Sequence, residues 1–317
     1  MQHLFIINPR AGKKNSTARL MDRIDALRRA EGLDCKTMLT SRPGHAEELA
    51  RRAAESGRDV RIYACGGDGT LNEVINGAVG FENAVITHYP AGSGNDFVKL
   101  FDAPDAFRDL ERLLDGVETR LDLICCQAGG QRRYAANVCS LGLDARIGTE
   151  IAAYRRLPVV GGSAAYLLST VVNVFRGIHQ PYTVDFGSRR IRGDQTLICV
   201  CNGSWYGGSF HPVPDARPDD GLLDVLMVKP VGLLRLATAI GRYKQGEYRS
   251  FPNLITHCRT DRLRVTCDAD SVVNVDGEAL TAREVSFSVV PHGLRFLMPA
   301  GVRLLSKERN QELIGVI

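Results

Sequence analysis

The sequence predicts an α/β domain with an open parallel sheet over residues 1–120, followed by a mostly antiparallel β domain over 121–300. Three observations predict it. Short apolar runs alternate with helical periods through the first 120 residues, the order that yields a parallel sheet covered by helices on both faces. From about Leu121 the pattern changes to strand-like runs separated by turn residues. The length of 317 residues allows two domains of about 150 residues, each with its own core.

In order along the chain, HLFII (3–7) reads as a buried strand that runs into NPRAGKK. Leu20, Ile24 and Leu27 then recur at helical spacing, with Ser16 or Thr17 as cap and Gly32 as stop. LDCKTML (33–39) is the next strand, and a Pro-Gly break at 43–44 precedes a helix through Leu49 and Ala53. VRIYAC (60–65) is a third strand entering GGDGT, after which Leu71, Val74, Ile75 and Ala78 mark one helix face. AVITHY (84–89) leads into PAGSGNDF, and Phe107, Leu110 and Leu114 place a fourth helix.

Beyond Leu121, LDLICC, GGQ and RRYAANVCS read as a hairpin, followed by helical stretches at about 144–156 and 163–176. YTVDF, RRIRGD, TLICVCNG, LLDVLMV, RLRVTC, SVVNVDG, VSFSVV and LRFLMP are strand-like. The tail at about 301–317, with Leu304, Leu305 and Leu313, is expected to return to the first domain as a helix.

Composition narrows the class. With 44% hydrophobic and 24% charged residues the chain has enough apolar surface to fold. A net charge of +4 is too mild for wrapping nucleic acid and suits an anionic ligand or bilayer surface. The nine cysteines lack a Cys-x-x-Cys pair and sit mostly in apolar runs, as small buried hydrophobes in a reducing compartment do. No apolar stretch reaches about 18 residues, and MQHLFIINP lacks the parts of a signal peptide. A cytoplasmic protein is expected.

The chemistry lies in three glycine-containing loops at successive strand ends, NPRAG (8–12), GGDGT (66–70) and AGSGND (91–96). Ligands of open parallel sheets bind at the carboxyl ends of strands. Glycine lets backbone N–H groups approach phosphate oxygens, and a following helix N-terminus favours negative charge. The loops therefore predict a nucleotide polyphosphate, with Gly66, Gly67 and Gly69 of the second loop and Asn95 of the third as candidate contacts. No GxxxxGK[ST] is present, and Phe97 stands where GxGxxG needs glycine, so neither a P-loop ATPase nor an ordinary dehydrogenase is indicated. Asp68 between glycines would repel phosphate unless a cation intervened; Mg²⁺ supplies it, and Asp96 and Asp122 follow the same logic.

NPRAG, GGDGTLNEVINGA (66–78) and PAGSGNDF (90–97) resemble the motifs of the soluble diacylglycerol kinase catalytic domain family, which includes bacterial lipid kinases and sphingosine kinases. RLDL (120–123), ANVCSLGLDA (136–145), NGSWYGGSFHPVPDARPDDGLLDV (202–225) and VNVDGEAL (273–280) are similar to its later blocks in the same order, so the resemblance covers nearly the whole chain. GGDGTLNE is also similar to NAD kinases, which share a related fold. The resemblance implies an NAD kinase/diacylglycerol kinase-like fold, ATP and Mg²⁺ as cofactors, and a lipid acceptor. It implies ATP contacts at Asn8, Pro9, Arg10, Ala11, Gly12, Thr40, Gly67, Asp68, Gly69, Thr70, Asn72, Glu73 and Ser93, the last at a place where many members have Thr. It also implies a structural Mg²⁺ at the carbonyls of Arg217 and Leu222 and the Asp220 carboxylate, and a catalytic Mg²⁺ network through Asp68, Asp96 and Asp122, with Lys13 meeting a phosphate.

Asp276-Gly277-Glu278 resembles the family's catalytic element. A lipid hydroxyl attacking the γ-phosphorus needs a carboxylate to accept its proton, and both Asp276 and Glu278 qualify. If VNVDGE were extended, alternation would place both on one side. The expected site is the cleft between the domains. A lipid acceptor without a membrane span implies peripheral docking on the inner face of the membrane, for which Arg155, Arg156, Arg176, Arg189, Arg190 and Arg192 offer a basic surface. An edge strand of the β-rich domain would allow a homodimer. The rival functions are an NAD kinase acting on a soluble nucleotide and a non-catalytic nucleotide or lipid sensor.

Overall fold

The computed structural model describes residues 1–12, 15–142 and 179–305. Lys13, the helices expected near 144–156 and 163–176, Arg155, Arg156, Arg176 and the tail beyond Leu305 lie outside them. Two compact units divide the described residues, one formed by Met1–Asp122 with residues 291–305, the other by Leu123–Val290.

The first unit alternates β1 (Gln2–Ile7), α1 (Ser16–Glu31), β2 (Cys35–Leu39), α2 (His45–Glu55), β3 (Val60–Gly66), α3 (Asp68–Ala78) and β4 (Ala84–Pro90). The pairs β1–β2, β1–β3 and β3–β4 are all parallel, giving the order β2-β1-β3-β4. β3 and β4 are buried almost end to end, as strands covered on both faces must be. Helix α3 buries the expected Leu71, Val74, Ile75 and Ala78. Gly77 lets α2 approach, because a Cβ there would lie 2.3 Å from Glu47 O.

Two local expectations differ. Helix α1 starts after Asn15, which has φ 67°, and Ser16 Oγ donates to Ala11 O instead of capping the helix. The fourth helix is broken into a 3₁₀ turn at Pro104–Arg108 and a short α4 at Leu110–Leu114. Asp109 is the reason: it takes an extended conformation, and its side chain accepts from Arg112 N to start a new turn. Beyond Gly301 the described tail returns to this unit as extended chain, with Leu304 bridged to Phe101 and Leu305 N donating to Leu100 O.

The second unit is antiparallel. After β5 (Val117–Ala128), which begins in the first unit, come β6 (Gln131–Ala135), β7 (Val138–Gly142), β8 (Gln180–Asp185), β9 (Arg190–Gln195), β10 (Leu197–Cys201), β11 (Leu223–Val228), α5 (Leu233–Lys244), β12 (Ile255–Thr260), β13 (Arg262–Val275) and β14 (Glu278–Met298). The sheet order is β12-β11-β10-β7-β13-β14. Along β10, Ile198 and Val200 enter one apolar core while Leu197, Cys199 and Cys201 enter the other, so this central strand is buried on both faces. Gly129 and Gly130, both at positive φ, close the β5–β6 hairpin as a two-residue turn requires. RRYAANVCS is not one strand: it splits at Ala136–Asn137 into β6 and β7. All nine cysteines are free thiols.

Candidate functional site

In the first unit the three glycine loops are tied to one another by hydrogen bonds. Asn8 N donates to Cys65 O at 2.9 Å, and its Nδ2 donates to Thr70 Oγ1 at 3.2 Å, joining the end of β1 to the start of α3. Asn8 Oδ1 accepts from Arg10 N, curling Pro9, Arg10 and Ala11 back towards Gly12, which has φ 87°. Gly66 O accepts from Ala91 N at 2.7 Å, linking the ends of β3 and β4. Gly67 and Gly92 then pass so closely that a Cβ on Gly92 would lie 2.5 Å from Gly67 Cα. A Cβ on Gly66 would lie 2.3 Å from Thr70 Oγ1. Here the glycines are required by packing.

Asp68, the first residue of α3, accepts at Oδ1 from Asp96 N at 2.6 Å and from Phe97 N at 3.4 Å. Its carboxylate thus fastens the third loop to the second. Asp96 in turn pairs with Lys99 at 2.6 Å. Asn95, at φ 49°, exchanges two hydrogen bonds with the backbone of Gly92, so its side chain shapes the loop. Ser93 at the tip is exposed. Thr40 N donates to Ile7 O, which sets it beside β1 just past the end of β2.

Two other expected contacts have partners elsewhere in this unit. Glu73 Oε2 accepts from Ala46 N at 3.0 Å, satisfying one of the open donors at the start of α2. Asn72 is buried, and its Oδ1 accepts from Asn76 Nδ2.

His88 was not anticipated. It is fully buried on β4, and its Nε2 meets Gly66 O at 3.1 Å. Burial pushes the imidazole down to about 4, so the ring is neutral and Nε2–H donates, giving Gly66 O a second donor. The only sequence sign was a titratable ring inside the apolar run AVITHY.

The carboxylates assigned to a catalytic Mg²⁺ are only partly assembled. Asp68 and Asp96 meet through the loop backbone, whereas the buried Asp122 accepts at Oδ1 from His292 N at 2.8 Å. Among the described residues no three His, Cys, Asp or Glu side chains close around a metal position. Mg²⁺ that arrives with a nucleotide needs only one or two carboxylates, because phosphates and waters supply the other oxygens. Asp68 at the N-terminal end of α3 fits that requirement.

In the second unit, the turn assigned to a structural Mg²⁺ is densely paired. The Arg217 side chain makes two hydrogen bonds to Asp219. Asp220 accepts from Leu222 N at Oδ1 and from Arg259 Nη2 at Oδ2. Asp224 and Arg259 face each other across β11 and β12, and His257 Nε2 lies 2.7 Å from Asp224 Oδ1. Asp224 and Arg259 were not anticipated, although a charge inside the apolar run LLDVLMV marks Asp224, and Arg259 stands in the strand ITHCRT.

The Asp-Gly-Glu element is a turn, not an extended strand. Val275 pairs with Glu278, and Asp276 and Gly277 between them have φ 47° and 97°. Asp276 and Glu278 therefore do not share a strand face. The Asp276 carboxylate accepts from the backbone N–H groups of Ala136 at 2.6 Å, Asn137 at 3.1 Å and Val138 at 2.8 Å. This explains the break between β6 and β7: the N–H groups at that corner point to the carboxylate. Glu278 instead faces Arg133 of β6, with an N–O distance of 3.1 Å, and is about one-third exposed.

Two family models match the chain in succession: the diacylglycerol kinase catalytic domain over residues 2–126, and the YegS C-terminal NAD kinase beta sandwich-like domain over 137–298. "Probable lipid kinase YegS-like" of Stenotrophomonas maltophilia is 28% identical over 87% of this chain and 91% of its own length. A diacylglycerol kinase of Staphylococcus epidermidis is 28% identical over 86% of this chain and 84% of its own. The crystal structure of a diacylglycerol kinase from Bacillus anthracis superimposes with a TM-score of 0.68 at 20% identity, covering 94% of this chain and 97% of that one.

Proposed function

Because the chain belongs to the diacylglycerol kinase family of lipid kinases, we propose that it transfers the γ-phosphate of Mg²⁺-bound ATP to a hydroxyl of a diacylglycerol-like lipid, with Glu278 as general base. The observation that carries the nucleotide half is the knot of three strand-end loops, in which Asn8 holds Thr70, Gly66 O holds Ala91 N, and Asp68 holds the N–H groups of Asp96 and Phe97. A loop already fixed by its own hydrogen bonds loses little entropy when phosphate binds. The backbone of Gly67, Gly69 and Thr70 and the start of α3 suit the triphosphate. Mg²⁺ bound there would neutralise phosphate charge, and Asp68 would supply a protein oxygen to hold it.

Glu278 is preferred to Asp276 on geometry. A carboxylate offers about four lone-pair directions, and three donors already occupy those of Asp276. Glu278 has a side-chain partner, Arg133, which a substrate group can exchange. In the transfer, the acceptor oxygen bonds to the γ-phosphorus as the bond to the β-phosphate bridging oxygen breaks. The hydroxyl proton passes to Glu278 and ADP carries away the bridging oxygen.

Among the described residues no helix is long and apolar enough to cross a membrane, so the lipid would be met at a bilayer surface. Arg189, Arg190 and Arg192 lie exposed at the β8–β9 hairpin, with Arg190 paired to Asp185. The test is transfer of labelled γ-phosphate to a panel of lipids in anionic vesicles beside soluble NAD, with and without EDTA. Label on lipid, lost in EDTA, supports the reading; label on NAD alone, or none with ATP still bound, replaces it with a nucleotide kinase or a sensor.

A further inference from the structure

We infer that the turn Asp219–Leu222 carries its own counter-cation, the Arg259 guanidinium, and that the second unit is folded without a divalent ion at that turn. Arg259 is buried, as is Asp224. The two residues stand opposite each other on β12 and β11, with Arg259 Nε 3.5 Å from Asp224 Oδ1. The other arm of the guanidinium reaches Asp220 Oδ2. One side chain thus bridges two carboxylates, one on the turn and one on the strand that follows it.

A hard cation is the usual answer to carboxylates gathered at a tight turn. Here each Asp220 oxygen has a protein donor, Leu222 N on one and Arg259 on the other. A +2 ion on the same carboxylate would sit about one hydrogen-bond length from a buried guanidinium, and the two like charges would repel in surroundings that screen poorly. Fixed charge of this kind needs no free ion and no particular ionic composition of the solvent. The buried Asp224 and the half-buried Asp220 share one buried guanidinium, which leaves net negative charge, and Asp224 Oδ2 is buried with no hydrogen-bond partner among the described residues. Removal of the guanidinium would therefore leave a pair of carboxylates that a small cation can fill.

The inference is independent of the lipid kinase reading, since its measurement is stability without nucleotide. Thermal unfolding of the whole chain is followed in EDTA and in millimolar Mg²⁺ or Ca²⁺. Wild type is expected to unfold at one midpoint in all three, or with a shift that Asp220→Asn leaves unchanged. Arg259→Gln is expected to lower the midpoint by roughly 5–15 °C in EDTA and to regain at least half of that with the metal, a recovery that Asp220→Asn/Arg259→Gln loses. If Arg259→Gln alone does not fold, its expression as folded protein only with added divalent ion supports the inference, and failure to fold in either condition overturns it. A wild-type midpoint raised by Mg²⁺ and made unresponsive by Asp220→Asn also overturns it.

Discussion

Asp276 and Val138, far apart in sequence, are joined in both directions: the Asp276 carboxylate accepts from Val138 N at 2.8 Å, and Asp276 N donates to Val138 O at 3.1 Å. With Ala136 and Asn137 on the same carboxylate, the turn that carries Glu278 is fixed to the corner between β6 and β7. A base that must meet a hydroxyl within hydrogen-bond range depends on such a mount.

Glu278→Gln is expected to lower kcat for phosphoryl transfer at least ~100-fold with little change in ATP affinity. Asp276→Asn should lower kcat and the unfolding midpoint together while keeping the ascending limb of the pH–rate profile, because the base remains. An Asp276→Asn enzyme whose ascending limb is gone, beside an active Glu278→Gln, would reverse the two roles.

The glycines differ in what they tolerate. Gly92→Ala drives a methyl towards Gly67 Cα and should reduce ATP affinity at least ~10-fold while destabilising the fold by roughly 1–3 kcal/mol. A Cβ on Gly69 meets nothing within 4 Å, so Gly69→Ala should keep or raise the midpoint, as Ala replacing Gly in a helix does. Calorimetric ATP titration with parallel thermal unfolding checks both, and equal behaviour of the two variants would contradict the packing argument.

His88 makes stability depend on acidity. Its folded value of about 4 lies below the ordinary 6.5, so between these values the unfolded chain binds the extra proton. The contribution is intact above pH 6.5 and is lost as pH falls towards about 4, a change of about 3 kcal/mol. His88→Gln should show a flatter stability profile between pH 6.5 and 4 in denaturant titrations; a profile identical to wild type would show that the ring is not buried neutral.

Asp68→Asn keeps an acceptor for Asp96 N and Phe97 N but removes the negative charge. The fold should persist, and the Mg²⁺ concentration for half-maximal activity should rise at least ~10-fold. An unchanged Mg²⁺ requirement would move the metal away from this residue.

Much of the first unit is legible because strand, glycine loop and helix follow one another locally: VRIYAC, GGDGT and the Leu71–Ala78 face map directly onto β3, the loop and α3. The work of Asp276 is not legible, since its three donors lie about 140 positions away and an Asp-Gly turn looks the same with or without them. Arg259 and Asp224 are partly legible: a charge within an apolar strand demands a partner, but only the register of β11 and β12 names it. The broken fourth helix turned on one cap, Asp109, which the Phe107–Leu110–Leu114 spacing overrode in the sequence reading.

The most direct measurement is γ-phosphate transfer from ATP to lipid by wild type and Glu278→Gln side by side, in Mg²⁺, with ATP binding measured on both. Labelled lipid from wild type, at least ~100-fold less from the variant and equal ATP binding are the predicted result. Unlabelled lipid from wild type, or equal labelling by both proteins, would contradict it.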